Sequence, residues 1–420
     1  MILKGYVHLQ KNIDNLINLT SLAAIQGGNA LLPLFLFPYF LSVIGAEKFA
    51  GVVTMEAVAF IVLTFALYSF DISGLKQVIE SKGKGRVEEA EVYYSILYAR
   101  LIMLSGISIV LIGFVVFLFP SFLELALIWL LFPLGGVLQS SYYYQALGKN
   151  KPLAVFVVIP RLFSCVLGVI FVDSASDKIF VSGFISVSYL ISGFISFFYI
   201  ASNVGFCSPL KLFKRSVELL FKGRALFVAS VSVLLYRASN TLLLSIMSVG
   251  PLAVSAYAIA EKYVRMIQAL TFPLSQLYAV RTVVDLSCPG AELSVFTVLW
   301  KSVRVQLFVS SIVIFLFFLF AGMLRFWGVL PLSTEVMALI GVMIGSVLFG
   351  VANYICGTMA LSTLGKERAY AKIVAATGFV TVTLSAILIS FFSELGAAVA
   401  YIFGEAFLFM LILLTLRRGA

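Results

Sequence analysis

The chain predicts an all-α integral membrane protein of twelve transmembrane helices, and three observations carry that prediction. The residues are 62% hydrophobic and only 11% charged, with a mean hydropathy of +1.10, whereas a soluble domain carries roughly 25% charge. The apolar residues come in continuous runs of about 20 or more, which suits membrane helices and not barrel strands, whose character alternates. The basic residues fall almost wholly into every second segment between those runs.

Taken in order, the predicted spans are 16–43, 49–72, 92–119, 121–147, 152–172, 179–202, 222–248, 251–278, 300–321, 333–362, 369–391 and 395–416. The first begins near Leu16 and carries no small-residue cleavage pattern, so it reads as a retained helix and not as a signal peptide. The even-numbered connections and both tails, counted with the adjoining first residues of the spans, hold 21 basic residues, among them Lys82, Lys84, Arg86, Lys149, Lys211, Lys214, Lys366 and Arg368. The odd-numbered connections hold three: Lys48, Lys178 and Arg325. The positive-inside rule then places both termini in the cytoplasm. The odd connections are short, such as Ser42–Lys48 and Val249–Gly250, so function is confined to the helices and the short cytoplasmic loops.

The two halves echo one another. Leu147-Gly148-Lys149-Asn150-Lys151 follows the fourth span, and Leu364-Gly365-Lys366-Glu367-Arg368 follows the tenth. Gly45 and Glu56 are spaced like Gly250 and Glu261. A six-plus-six duplication gives an N-terminal lobe of residues 1–206, a cytoplasmic linker of 207–221 and a C-terminal lobe of 222–420. An even number of spans per half makes the repeats parallel, related by an axis along the membrane normal, with substrate held between lobes that rock around it.

Three cations, Arg237, Lys262 and Arg265, lie deep in the seventh and eighth spans. An ionised side chain at that depth costs about 2.5–3.5 kcal/mol on insertion scales and is expected to face a protein interior or a wet cavity. Tyr257, Glu261, Arg265, Gln268, Phe272 and Gln276 form one stripe at helical spacing, and Arg237, Asn240, Thr241, Leu244 and Ser248 form another. Glu261 precedes Arg265 by four residues, the favourable order for an intrahelical ion pair. Lys262 is turned about 100° away from Glu261 and is harder to neutralise locally. One reading makes these groups structural ion pairs, Glu261 with Arg265 and Arg237 with Glu405. The other takes the surplus of deep cations as a site for an anion.

Elsewhere, Glu56 is a candidate protonatable or cation-binding group, and Asp71 is placed to pair with Arg100. Arg161 is read as shallow enough to snorkel. Gly27, Gly28, Pro33 and Pro38 in the first span make bending cheap and are hinge or gate candidates. The four cysteines, Cys165, Cys207, Cys288 and Cys356, have neither metal-ligand nor redox spacing and are expected as free thiols, and the single histidine, His8, lies in the polar N-terminal tail. No phosphate-cradling loop, metal cluster or nucleophile–base pair stands out, so no enzyme, cofactor or metal is expected, and the net charge of +10 points to membrane topology and not to nucleic acid.

Four stretches together carry a family resemblance. They are Gln26-Gly27-Gly28-Asn29 with 31–39, Tyr144-Gln145-Ala146-Leu147-Gly148-Lys149, Tyr257-Ala258-Ile259-Ala260-Glu261-Lys262, and Leu364-Gly365-Lys366-Glu367. Over nearly its whole length the chain resembles the Wzx-type flippases of O-antigen and related polysaccharide repeat units, within the multidrug/oligosaccharidyl-lipid/polysaccharide exporter superfamily. Ala146 stands where glycine is common in that family. The resemblance implies a V-shaped bundle of two six-helix lobes in the bacterial inner membrane, with a cationic central cavity. It implies an undecaprenyl-diphosphate-linked oligosaccharide as substrate, moved from the cytoplasmic to the periplasmic leaflet, with a polysaccharide polymerase and a chain-length regulator as partners. It carries Lys262 over as a cavity cation, while Arg237 and Arg265 rest on the physical reading.

Fixed cations would lower the barrier to moving a diphosphate across about 30 Å of hydrocarbon. Tyr257 and Tyr142 are candidates to stack on sugar rings, Asn240 to line the site, and Glu56, Glu261, Glu405 or Asp71 to couple transport to a proton or sodium gradient. Three other classes compete. A drug or cation exporter of the same superfamily should line its cavity with acids. A membrane polymerase or glycosyltransferase should have large external loops. A major-facilitator sugar transporter should carry an acidic–arginine motif, which 73–86 lacks.

Overall fold

The computed structural model describes the backbone of residues 2–82, 84–174, 177–247, 249–287, 295–326 and 333–417; the side chains of Pro33, Arg237 and Gln276 lie outside the described residues. Among the described residues every regular element is a helix. The first half contains α1 (Ile2–Leu67), α2 (Phe70–Ser81), α3 (Arg86–Leu118), a 3-10 turn (Pro120–Phe122), α4 (Leu123–Trp129), α5 (Leu131–Gln139), α6 (Ser141–Leu147), α7 (Asn150–Phe171) and α8 (Lys178–Val204). The second contains α9 (Pro209–Ala238), α10 (Asn240–Ile246), α11 (Pro251–Ser287), α12 (Val295–Phe326), α13 (Thr334–Met343), α14 (Gly345–Asn353), a π-helix (Tyr354–Leu361) and α15 (Glu367–Arg417).

Eight helical stretches among the described residues are long and apolar enough to cross a bilayer, and two of them are folded runs. In α1 the backbone leaves helical geometry at Gly45 (φ 79°, ψ 160°), and in α15 it does so at Ser393 (φ 54°, ψ −132°). Both breaks fall between spans predicted separately. Only glycine adopts the first conformation without steric cost, which is why the turn sits there.

Other breaks fall inside predicted spans. The fourth is interrupted at Ser140 (φ 45°), and the tenth, at the equivalent place in the second half, is divided at Ile344 and then widens into the π-helix. The linker expected at 207–221 is not an irregular loop. From Pro209 onward it is the start of α9, because buried Leu212 and Ser216 recur at helical spacing opposite a polar face.

The Leu-Gly-Lys echo has a common geometry. Gly148 (φ 66°) and Gly365 (φ 70°) each end a helix in the left-handed region. Lys149 N–H donates to Tyr144 O at 2.9 Å, and Lys366 N–H donates to Leu361 O at 2.8 Å. Both are Schellman caps, which satisfy the last helical carbonyls and stop the helix.

The chain divides into two compact units: Met1–Leu32 with Val58–Ser230, and Pro33–Ala57 with Val231–Ala420. These boundaries differ from the sequence-predicted lobes at one place above all, since residues 33–57 group with the C-terminal unit. Phe37, Phe40, Phe49, Val52 and Met55 are buried there. Ser255 Oγ donates to Ala46 O (3.0 Å), and Thr54 and Ser245 share a hydroxyl hydrogen bond of 2.6 Å. The first unit has a core of Phe70, Tyr93, Tyr94, Tyr142, Tyr144 and their neighbours, and the second has one built on Ile355, Leu361, Leu408 and Ile412.

Candidate functional site

Helix α11 sets out its polar residues by period alone. Tyr257, Glu261 and Arg265 follow at intervals of four and share a face, while Lys262 points about 100° away. Arg265 Nη2 donates to Glu261 Oε1 at 2.6 Å. Glu261 Oε2 accepts from Thr241 Oγ1 of α10 at 3.1 Å, so both oxygens of this buried carboxylate are engaged. The intrahelical pair expected from the sequence is formed.

Lys262 is neutralised from farther away. Its Nζ donates to Glu56 Oε1 at 2.7 Å and lies 4.3 Å from the centroid of the Phe37 ring. The side chains of the pair are 19% and 9% exposed, so water screens little of the attraction. Glu56 and Phe37 both come from the 33–57 segment. The Gly45–Glu56 and Gly250–Glu261 echo thus ends in two acids that each hold a cation of α11.

The remaining candidates separate into those that join this cluster and those that do not. Asn240 Nδ2 donates to the Tyr257 hydroxyl (2.9 Å) and to Ala397 O (3.2 Å). Tyr257 is fully buried, so its expected role of stacking on a sugar is not available in this conformation. Glu405 accepts from Asn353 Nδ2 at 2.7 Å. The Arg237 side chain, and with it the expected Arg237–Glu405 pair, lies outside the described residues.

In the first unit, Arg100 donates to Asp71 at 2.9 Å and lies over the Tyr142 ring, 4.6 Å from its centroid. Asp71 is thereby committed to an ion pair, and Tyr142 is closed to solvent. Gly27 and Gly28 sit in unbroken helix, where a Cβ on Gly28 would meet Val158 at 3.2 Å; close packing accounts for that glycine. The structure also corrects the snorkelling role of Arg161. This residue is 2% exposed, with its guanidinium 4.1 Å from the Tyr189 ring centroid and Nε and Nη1 lacking hydrogen-bond partners. Sequence reasoning missed it because a ring on α8, not distance from the helix end, sets its environment.

The arrangement holds two carboxylate–cation pairs inside one unit. Each pair is electrically neutral, and each could be opened by a ligand that offers the cation a better anion or the carboxylate a proton.

The sequence model of a family described as "Polysaccharide biosynthesis protein" matches residues 16–280. A protein of Escherichia coli (strain K12) named "Putative O-antigen transporter" is 23% identical over 410 residues, covering 96% of each chain. One of the same name from Shigella dysenteriae is 23% identical over 274 residues, covering 62% of this chain and 65% of its own. Among solved structures, the lipid II flippase MurJ in an inward closed conformation superposes with a TM-score of 0.67 at 14% identity, covering 98% of this chain and 87% of the other. An inward-facing multidrug resistance MATE family transporter of the MOP superfamily gives 0.65 at 14% identity, covering 96% and 98%. At that identity the two structures establish the fold alone.

Proposed function

This chain belongs to the polysaccharide biosynthesis protein family, and from that premise we propose that it is a flippase for a lipid-linked oligosaccharide. The substrate is an undecaprenyl-diphosphate-linked repeat unit of O-antigen or a related polysaccharide. It moves from the cytoplasmic to the periplasmic leaflet of the bacterial inner membrane by alternating access. Twelve spans with both termini in the cytoplasm complete the reading, and the family match and the named relatives support it.

The observation that carries the mechanism is the two partly buried ion pairs made by cations of α11, Lys262–Glu56 and Arg265–Glu261. A diphosphate is a stronger bidentate acceptor than a carboxylate already held by one hydrogen bond, so it competes for these cations. Release of Glu56 or Glu261 would leave a buried carboxylate that takes up a proton or sodium ion, which supplies the coupling. The chain crosses between the compact units at Leu32–Pro33, Ala57–Val58 and Ser230–Val231, and Pro33 is the natural hinge at the first crossing. A drug-exporter reading fits less well, because Glu56 and Glu261 are each occupied by a cation of the chain itself.

Expression in a strain lacking its O-unit flippase tests the proposal. Surface polysaccharide is expected to return, and undiminished lipid-linked sugar on the cytoplasmic side of a well-expressed strain sinks it. In that assay Arg237→Ala, Lys262→Ala and Arg265→Ala should each lose more export than the Lys/Arg exchange at the same position.

A further inference from the structure

Helix α9 presents three faces before it enters its apolar half. At 100° per residue, Lys211, Lys214, Arg215, Glu218 and Lys222 fall within an arc of about 100°. Leu212 and Ser216 point to the packed side and are buried. Phe213 and Phe221 lie about 80° apart on the remaining side and are 59% and 70% exposed. The polar arc does not open onto featureless solvent: with Gln77 of α2 it walls a cleft of about 530 Å³ within the first unit.

The charges in the cleft are not balanced. Arg215 is held at the wall by Glu91 (2.8 Å) and Glu88 (2.9 Å) of α3. Lys211, Lys214 and Lys222 have no ion-pair or hydrogen-bond partner among the described residues, and Glu218 is the single acid in the lining. Three unpaired ammonium groups set against one carboxylate leave the concavity net positive, which attracts a compact acidic group. The bordering Phe221, next to Lys214 around the helix, favours an occupant with an apolar end.

We propose that this cleft binds the phosphate headgroup of an anionic lipid, whose chains lie along the exposed phenylalanine face of α9. The site goes beyond the transport proposal and does not depend on it. It would anchor the helix that joins the two halves to the membrane surface.

The test uses the full chain in nanodiscs containing equal amounts of dioleoylphosphatidylglycerol and dioleoylphosphatidylcholine, with retained lipid counted by native mass spectrometry. Phosphatidylglycerol is expected to be retained preferentially. The preference should fall on the order of fivefold per lysine in K211Q/K214Q/K222Q and persist in K211R/K214R/K222R. Glu218→Gln, which removes the opposing charge, should raise it. Wild-type preference in the glutamine variant overturns the proposal, as does no rise in Glu218→Gln. Displacement of phosphatidylglycerol by equimolar inorganic pyrophosphate identifies a soluble anion as the ligand and overturns the lipid assignment.

Discussion

Glu56 and Lys262 are 206 residues apart in sequence and 2.7 Å apart in space. Both are largely enclosed, so either charge alone would be left in a poorly solvated place. Glu56→Gln is therefore expected to lower stability by about 3 kcal/mol, because an uncompensated ammonium remains. Glu56→Gln combined with Lys262→Met should recover most of that loss, and thermal melts of the purified variants read both effects. If the single and double variants melt together, the pair is not coupled. Arg161 presents the opposite case, a buried guanidinium with a ring beside it and no carboxylate partner among the described residues. The Arg161–Tyr189 contact should show a coupling of about 1–2 kcal/mol in a double-mutant cycle with Arg161→Met and Tyr189→Leu, as expected for a desolvated cation over an aromatic face. Additive losses would mean the ring is only packing. Of these residues, the Glu261–Arg265 pair could be read in the sequence because it is local, at i and i+4. Lys262–Glu56 could not, since helical periodicity says which way Lys262 points but not what another segment brings to meet it.

Helix α8 shows how elements are joined where no water drives them together. Between buried Val181 and Ile200 its buried residues are all small, Ser182, Ser186, Ser188, Ser192, Gly193 and Ser196, and it lies against α5 closely enough that a Cβ on Gly193 would overlap the Gly135 carbonyl oxygen. Small side chains let the backbones approach, and hydroxyls add hydrogen bonds: Ser196 Oγ donates to Gln139 O at 2.6 Å. Gly193→Leu should therefore cost about 3 kcal/mol or more and abolish the monodisperse species in detergent. Gly183→Leu, on the same helix with nothing within 4 Å of its added Cβ, should purify like wild type. Similar behaviour of the two variants would refute the α5–α8 contact. The serines are visible in the sequence as a small-residue stripe, but their partner helix is not. The amphipathic start of α9 was likewise not read, since 207–221 was expected as a linker although Leu212, Ser216 and the interleaved lysines carry the helical spacing. Hydropathy averaging conceals it, because one buried face in a charged stretch still averages as hydrophilic.

At the scale of the whole molecule, the apolar runs, the Gly45 turn and the two Leu-Gly-Lys caps were legible because each depends only on neighbouring residues. The assignment of 33–57 to the C-terminal unit was not, because it rests on buried side chains meeting across sequence distance. The twelve-span topology proposed for these elements rests on the 21-to-3 split of basic residues, and this makes a prediction about sidedness. With Cys165, Cys207, Cys288 and Cys356 replaced by serine, single cysteines can be placed on both sets of turns. Glu47→Cys, Asp173→Cys and Glu394→Cys sit on turns that carry few basic residues. Lys84→Cys, Lys149→Cys and Arg368→Cys sit on turns that carry many. The first three should react with a membrane-impermeant maleimide added to spheroplasts, and the last three only after the membrane is opened. Glu47 and Glu394 matter most, since they flank the breaks at Gly45 and Ser393, which under the proposed topology divide two helical runs into pairs of crossings. Labelling of Glu394→Cys together with Arg368→Cys from the same side would remove a crossing from the second half, and with it the parallel relation of the repeats that the matching caps imply.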